Sequence, residues 1–163
     1  MDIPADITLP ISEPNPVKLE QCIKSSAIHH GIPEMYLRII RDIEGGKVGT
    51  LRRNKDGSTD LGVMQINTIN LPAITAAFSN VGWYELAMKP CVSVDVAAWF
   101  IKKKLRRSTT TSPLNALVDY NSKTPEVRIH YAFKVMEKFN EYQQKAIDGK
   151  LYSDALSYKH EKL

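Results

Sequence analysis

The stretch Met35-Tyr36-Leu37-Arg38-Ile39-Ile40-Arg41-Asp42-Ile43-Glu44-Gly45-Gly46 joins a helical pattern of apolar residues to a carboxylate at its end. Leu37 and Ile40 lie seven and four positions before Glu44, a spacing that places all three on one helix face. A helix that buries Leu37 and Ile40 therefore carries Glu44 toward the same side. We expect Glu44 to close the helix half-buried, at the lip of a cleft.

Two interpretations of Glu44 follow from this position. Desolvation at a cleft would raise its pKa and keep it protonated, as a general acid requires. Alternatively, Glu44 is a solvated residue in the last helical turn, where the helix dipole mildly opposes its charge. The helix face alone does not decide between them.

The bulk composition indicates one globular domain. A chain of 163 residues with 43% hydrophobic and 25% charged residues can bury one core but is short for two domains. No run of about 18 apolar residues is present, so we expect no membrane-spanning segment. Residues 1–6 lack the pattern of a secretory signal peptide, so an exported protein with this start would be a mature form or use another route.

Much of the net charge of +4 is concentrated in Lys102-Lys103-Lys104-Leu105-Arg106-Arg107. A basic cluster at a helix end is commonly solvated and complements the helix dipole. It could also bind an anionic polymer, a membrane surface or nucleic acid. Nucleic acid is the weakest of these, because no aromatic residues are interleaved for base stacking.

Cys22 and Cys91 are the two cysteines, and the residues alone permit one disulfide or two free thiols. A bridge would close a loop of about 70 residues and contribute about 4 kcal/mol in the chain-entropy model. It would also indicate a compartment outside the reducing cytoplasm.

Turn and cap residues predict a mainly α domain with one small β-hairpin. The hairpin is expected around the turn Asn54-Lys55-Asp56-Gly57-Ser58, with no strand after it. Ser93 is the expected N-cap of a long helix. The predicted helices span 17–30, 33–44, 68–78, 83–88, 93–107, 113–120 and 125 to about 144. We divide the chain into an extended proline-rich arm (1–16), a domain (17–145) and a tail or docked helix (146–163).

Polar residues and glycine concentrate in Asp60-Leu61-Gly62-Val63-Met64-Gln65-Ile66-Asn67. If this segment is extended, Gly62, Met64 and Ile66 share one face and Val63, Gln65 and Asn67 the other. Gln65 and Asn67 would then face a cleft, where amides can donate and accept hydrogen bonds to sugars. The alternative is that both amides bond local backbone groups.

Ordered blocks of the sequence resemble the lytic transglycosylases of the soluble goose-lysozyme-like superfamily. The similarity is closest to the small specialised members that accompany type IV secretion, conjugation and pilus machines. It covers roughly residues 17–140, and its specificity comes from the agreement of several blocks in order. The blocks are the first helix with Cys22, Glu44-Gly45-Gly46, 54–58, 60–67, Lys89-Pro90-Cys91, Ala116-Leu117-Val118-Asp119-Tyr120-Asn121-Ser122 and Arg128-Ile129-His130-Tyr131-Ala132.

The resemblance implies a lysozyme-like α+β fold, mainly α, with the hairpin beside the active-site cleft. It implies that Glu44 is the single acid and base residue, and that Gln65 and Asn67 line the glycan groove. Tyr120 and Asn121 match a tyrosine-asparagine pair that borders the cleft.

Further implications concern support and environment. Tyr131 matches a position with a packing or orienting role, and Cys22 and Cys91 fall where such proteins carry a disulfide. The expected location is the bacterial periplasm or cell envelope, and the expected partners are peptidoglycan strands and components of a type IV secretion or pilus machine. We expect a monomer that binds neither nucleic acid nor a cofactor. We also expect no metal, because the histidines show no ligand spacing; they are His29, His30, His130 and His160.

Two departures from the family pattern affect the cleft. Serine commonly follows the glutamate in the wider superfamily, whereas Gly45 offers no hydroxyl here. Alanine and glycine usually follow the tyrosine-asparagine pair, whereas Ser122 and Lys123 stand here. The sequence therefore does not decide which residue orients Glu44, or what shape the cleft has beside the tyrosine-asparagine pair.

The implied reaction cleaves the β-1,4 bond between N-acetylmuramic acid and N-acetylglucosamine and leaves a 1,6-anhydro end. One alternative is a goose-type hydrolytic muramidase, in which Asp60 would activate water. We expect Asp60 instead to hold the hairpin through local backbone hydrogen bonds. An alternative of another class is a non-catalytic peptidoglycan-binding module of a secretion apparatus.

Overall fold

A computed structural model describes residues 3–107, 113–121 and 125–160, without the side chains of 107, 113, 121 and 151–160. The chain is mainly α, as predicted. Among the described residues, no helix combines the length and apolar character needed to cross a membrane. The helices are α1 (Pro16–His30), α2 (Glu34–Glu44), α3 (Leu71–Ala77), α4 (Trp83–Met88), α5 (Pro90–Arg107), α6 (Pro113–Asn121) and α7 (Pro125–His160), and the strands are β1 (Leu51–Arg53), β2 (Thr59–Leu61) and β3 (Ile66–Asn67).

Local signals place the first two helices. The Asn15 side chain caps α1 by accepting a hydrogen bond from the Lys18 backbone N–H. Gly31 ends α1 in the left-handed conformation, at φ 63°, where its N–H bonds back to the helix. Pro33 serves as the N-cap of α2, so the helix begins at Glu34, one residue after the predicted start.

The second helix runs through the core. Its apolar face consists of Leu37, Ile39 and Ile40, which are fully buried. Helix α1 packs against α5, and α7 packs against α2 and α6. Cys22 and Cys91 form the implied disulfide, which joins α1 to α5 with a Cα separation of 5.0 Å. Helix α2 itself contacts α1, α5 and α7.

The small sheet is antiparallel in the order β1-β2-β3. The predicted hairpin is confirmed, with Leu51 opposite Leu61. The expectation of no later strand is wrong, because β3 pairs with β2 and places Asn67 opposite Asp60. A tight turn between them uses positive φ at Gly62 (62°) and Gln65 (49°).

This turn also overturns the proposed two-face alternation of residues 60–67. An extended segment would place the side chains of Val63 and Met64 on opposite faces, so that only one of them is buried. The turn instead buries both side chains, at 1% and 0% exposure. The alternation rule requires a continuous strand, and the reversal at Gly62 interrupts it.

Helix α5 begins three residues before the predicted N-cap. Pro90 opens it, because its fixed φ suits the first turn of a helix. Ser93 therefore lies inside the helix and is buried, where its hydroxyl accepts a hydrogen bond from the Met64 N–H at 3.3 Å.

Both chain ends differ in detail from the predicted outline. The backbone of α7 continues as one helix past the predicted end near 144, through His160. In the arm, Ser12 forms an isolated antiparallel bridge with Val48, and the Arg53 side chain donates to the Pro4 and Ala5 carbonyls. The assignment of 1–16 and 146–163 as separate units stays a prediction.

Candidate active site

Glu44 is the last residue of α2 and is half-buried. The helix ends there because Gly45 adopts φ 58° and its N–H bonds to the Arg41 carbonyl at 3.0 Å. The carboxylate thus stands at the rim of the core, where the chain turns toward the sheet.

Glu44 lines a cavity of about 830 Å³ together with three other predicted site residues, Gln65, Asn67 and Tyr120. The sheet and the turn before β3 form one wall, while α5 and α6 form another. The other lining residues are Arg52, Asn54, Asp56, Asp60, Ile66, Ile69, Asn70, Ala73, Phe100, Lys103, Lys104, Asp119 and Val127.

The two amides bond local groups as well as line the cavity. Gln65 donates from Nε2 to the Gly62 carbonyl at 2.7 Å. Asn67 donates from Nδ2 to Asp60 Oδ1 at 2.8 Å and to Ser58 Oγ at 2.9 Å. Both side chains are therefore fixed by the fold, and any contact with a sugar is added to these bonds.

Asp60 is a structural link within the sheet. Its Oδ2 accepts from Arg52 Nη2 at 2.9 Å and from Asn54 Nδ2 at 3.2 Å, while Asn67 occupies Oδ1. These side-chain donors replace the expected backbone hydrogen bonds, because Asp60 is buried on the central strand β2 and does not lie at the turn. Asp60 connects β1, β2 and β3 to one another.

Tyr131 contacts the candidate acid directly. Its hydroxyl donates a hydrogen bond to Glu44 Oε1 at 2.7 Å, from a position in α7 that is 5% exposed. Burial, and then the Glu44 charge, raise the pKa of Tyr131 well above its ordinary value. The phenol therefore stays protonated and keeps its donor.

Tyr120 and Asn121 end α6 beside the cavity. The Tyr120 hydroxyl donates to the Met64 carbonyl at 3.1 Å, which ties α6 to the turn before β3. Burial is the main cause of the raised pKa of Tyr120, with smaller contributions from Glu44 and Asp60. The Asn121 side chain, Ser122 and Lys123 lie outside the described part of the chain.

Replacing Tyr131 with phenylalanine is expected to lower the turnover of the enzyme that the resemblance implies about ten- to a hundredfold. A hydrogen bond to a charged group contributes about 1.5 to 3 kcal/mol, and its loss removes one contact that orients the carboxylate. The initial rate of turnover measures this effect.

Tyr142 provides a matched control on the same helix. Its hydroxyl donates to Asp42 Oδ2 at 2.9 Å, so Tyr142→Phe removes an equivalent bond between α7 and α2 outside the cavity. Normal turnover is expected for this variant. If both variants lose activity equally, Tyr131 acts through helix packing and not through Glu44.

A separate group of side chains has the composition of a metal site. Nitrogen atoms of His29 and His30 and a carboxylate oxygen of Asp95 lie within 4.8 Å of one another. His30 is buried, and its Nε2 lies 3.0 Å from Asp95 Oδ1. Asp95 lies 65 positions away in the sequence, which is why histidine spacing could not reveal the group. None of the three lines the cavity of Glu44.

Comparison with known proteins relates this geometry to a family. The chain is 27% identical over 121 residues to "Invasion protein IagB" of Salmonella typhi, covering 72% of this chain and 73% of that protein. "Invasion protein IagB" of Salmonella typhimurium strains SL1344 and LT2 matches with the same identity and coverage. The family described as "Transglycosylase SLT domain" matches residues 21–142, which include Glu44, the sheet and Tyr131. Its members are lytic transglycosylases that act on peptidoglycan. The chain therefore belongs to the transglycosylase SLT domain family.

Proposed function

We propose that this enzyme cleaves the β-1,4 bond between N-acetylmuramic acid and N-acetylglucosamine and closes a 1,6-anhydro ring on the muramic sugar. The observation that carries the proposal is a half-buried Glu44 in a polar cavity, held by the Tyr131 hydroxyl at 2.7 Å. One oriented carboxylate is sufficient when the nucleophile belongs to the substrate.

Glu44 acts twice in this reaction. Its carboxyl proton passes to the glycosidic oxygen as the bond from that oxygen to C1 breaks. The resulting carboxylate then takes the proton of the C6 hydroxyl, while O6 forms a bond to C1. Glu44 ends protonated again, and no water is consumed. Gln65, Asn67 and Tyr120 support the proposed groove by holding its walls in place.

The contacts of Asp60 argue against hydrolysis. A base that activates water must be able to reach it, whereas the Asp60 carboxylate is buried and held in place by Arg52, Asn54 and Asn67. Arg52 also forms a salt bridge with it, at 2.9 Å. A structural role for Asp60 leaves Glu44 to perform both proton transfers.

Mass spectrometry of the digestion products tests the reaction. Peptidoglycan sacculi digested by the purified protein should release muropeptides with 1,6-anhydro ends, each lighter by one water than the corresponding reducing product. A hydrolytic muramidase run in parallel supplies the reducing reference. Products that carry only reducing ends would establish hydrolysis and reject the ring closure.

We further propose that the protein works in the bacterial periplasm, where it opens the wall locally for a secretion, conjugation or pilus apparatus. The support is the resemblance to specialised transglycosylases and the likeness to proteins that bear the name invasion protein. The disulfide between Cys22 and Cys91 is consistent with an oxidising compartment.

A further inference from the structure

The basic cluster at the end of α5 is divided by the fold. Lys103 and Lys104 line the cavity that contains Glu44, whereas Lys102, their neighbour on the same helix, is not part of that lining. A cluster that only complemented the helix dipole would have no reason to face a substrate cavity. Lys103 and Lys104 are therefore candidates for contact with the substrate.

Charge pairing inside the cavity distinguishes Lys103 from the other cations. Arg52 is paired with Asp60, and the Lys104 ammonium donates to the Asp119 carbonyl. The Lys103 ammonium lies 4.7 Å from the centroid of the Trp99 ring, a cation–π contact that leaves its N–H groups able to bind an anion.

Acidic residues of the cavity do not neutralise this lysine. Asp119 is paired with Arg128 at 2.8 Å, and Asp56 accepts bonds from Ser58. Across residues 3–107, 113–121 and 125–160, the structure places no carboxylate within ion-pair distance of the Lys103 ammonium. The wall formed by α5 thus presents a positive charge to whatever enters.

Peptidoglycan supplies an anion at this location. The muramic sugar carries a peptide stem on its lactyl group, and the stem has free carboxylates. This sugar flanks the bond that Glu44 is proposed to cleave, so its stem must leave through the same cavity. We propose that Lys103 binds a carboxylate of this stem and makes the enzyme prefer stem-bearing glycan over stem-free glycan. The inference rests on the proposed function.

Two substrates and three variants test this preference. Soluble glycan strands are compared with the same strands after an amidase has removed the stems. Lys103→Gln should raise the KM for stem-bearing strands about two- to fivefold with kcat unchanged, the range of a partly exposed ion pair. Lys103→Arg keeps the charge and should behave like the unmodified enzyme. Lys102→Gln is the control, since it removes an adjacent charge outside the cavity.

On stem-free strands, all of these variants should share one KM. Binding is also measured by titration calorimetry in a Glu44→Gln background. There, Lys103→Gln should weaken the binding of stem-bearing strands and leave the binding of stem-free strands unchanged. An equal loss on both substrates, or an equal loss in Lys102→Gln, would overturn the role of Lys103. If the unmodified enzyme releases nothing from either substrate, the proposed cleavage fails, while the calorimetric comparison still decides whether Lys103 binds the stem.

Discussion

Glu44→Gln is expected to reduce release of soluble fragments from peptidoglycan by about 10²- to 10⁴-fold, the usual contribution of general acid–base catalysis. The effect should lie toward the upper end of this range, because one side chain is assigned both proton transfers. Glutamine matches the shape of glutamate but can neither give nor receive the proton. The measurement is the initial rate of muropeptide release at fixed enzyme concentration.

Stability should change little in this variant. The amide oxygen of glutamine can still accept the hydrogen bond that Tyr131 donates at 2.7 Å. Glu34→Gln is the matched control, since it makes the same chemical change at the opposite end of α2, where Glu34 pairs with Arg38 on the surface. That variant should retain normal activity. Thermal unfolding of both variants checks that neither has lost its fold.

This pair of variants also separates an enzyme from a binding module. Fragment release at the normal rate by Glu44→Gln would remove Glu44 from the chemistry. An unmodified protein that binds sacculi but releases no fragments would instead support a non-catalytic assembly role. Loss of release with retained binding in Glu44→Gln is the result that the proposed mechanism requires.

Replacing both cysteines, as Cys22→Ser with Cys91→Ser, is expected to lower the free energy of unfolding by about 4 kcal/mol. The bridge spans 69 positions, so its removal restores considerable freedom to the unfolded chain. Such a loss is a large fraction of the 5–15 kcal/mol, by order of magnitude, that stabilises a typical domain. Equilibrium unfolding in urea measures it.

Reduction supplies the control for this variant. The unmodified protein in excess dithiothreitol should become about as unstable as the double variant, whereas the reductant should leave the double variant unchanged. Equal stability with and without reductant in the unmodified protein would show that the bridge contributes little. A change in the urea slope of the double variant would indicate an altered unfolded state.

The helices could be predicted wherever cap residues and apolar periodicity agreed. Gly31 and the stripe of α2 place the first two helices, and the predicted range 83–88 coincides with α4. The start of α5 was missed because Ser93 resembles a cap in sequence, although Pro90 had already opened the helix. Strand β3 was missed because Gln65 takes a positive φ that its residue type rarely adopts.

The candidate site was predictable where its residues are close in sequence. The end of an amphipathic helix placed Glu44, and the resemblance suggested an orienting role for Tyr131. The contact between them spans 87 positions and depends on how α7 packs against α2, so no local pattern could have shown it. For the same reason, the sequence could not distinguish Lys103 from Lys102: their directions depend on how α5 is rotated in the domain.

Gly46, the second glycine after the candidate acid, limits how the cleft can change. A Cβ atom at this position would collide with the Gly62 carbonyl oxygen and with the Gln65 side chain. The segment that follows Glu44 therefore rests directly on the turn before β3, main chain against main chain. The distance between the end of α2 and the turn that carries Gln65 is therefore set by the backbone rather than by exchangeable side chains. Moving Gln65 away from Glu44 would require a different loop length, whereas the side chains of α5 and α6 that line the cavity can be exchanged without touching this backbone contact.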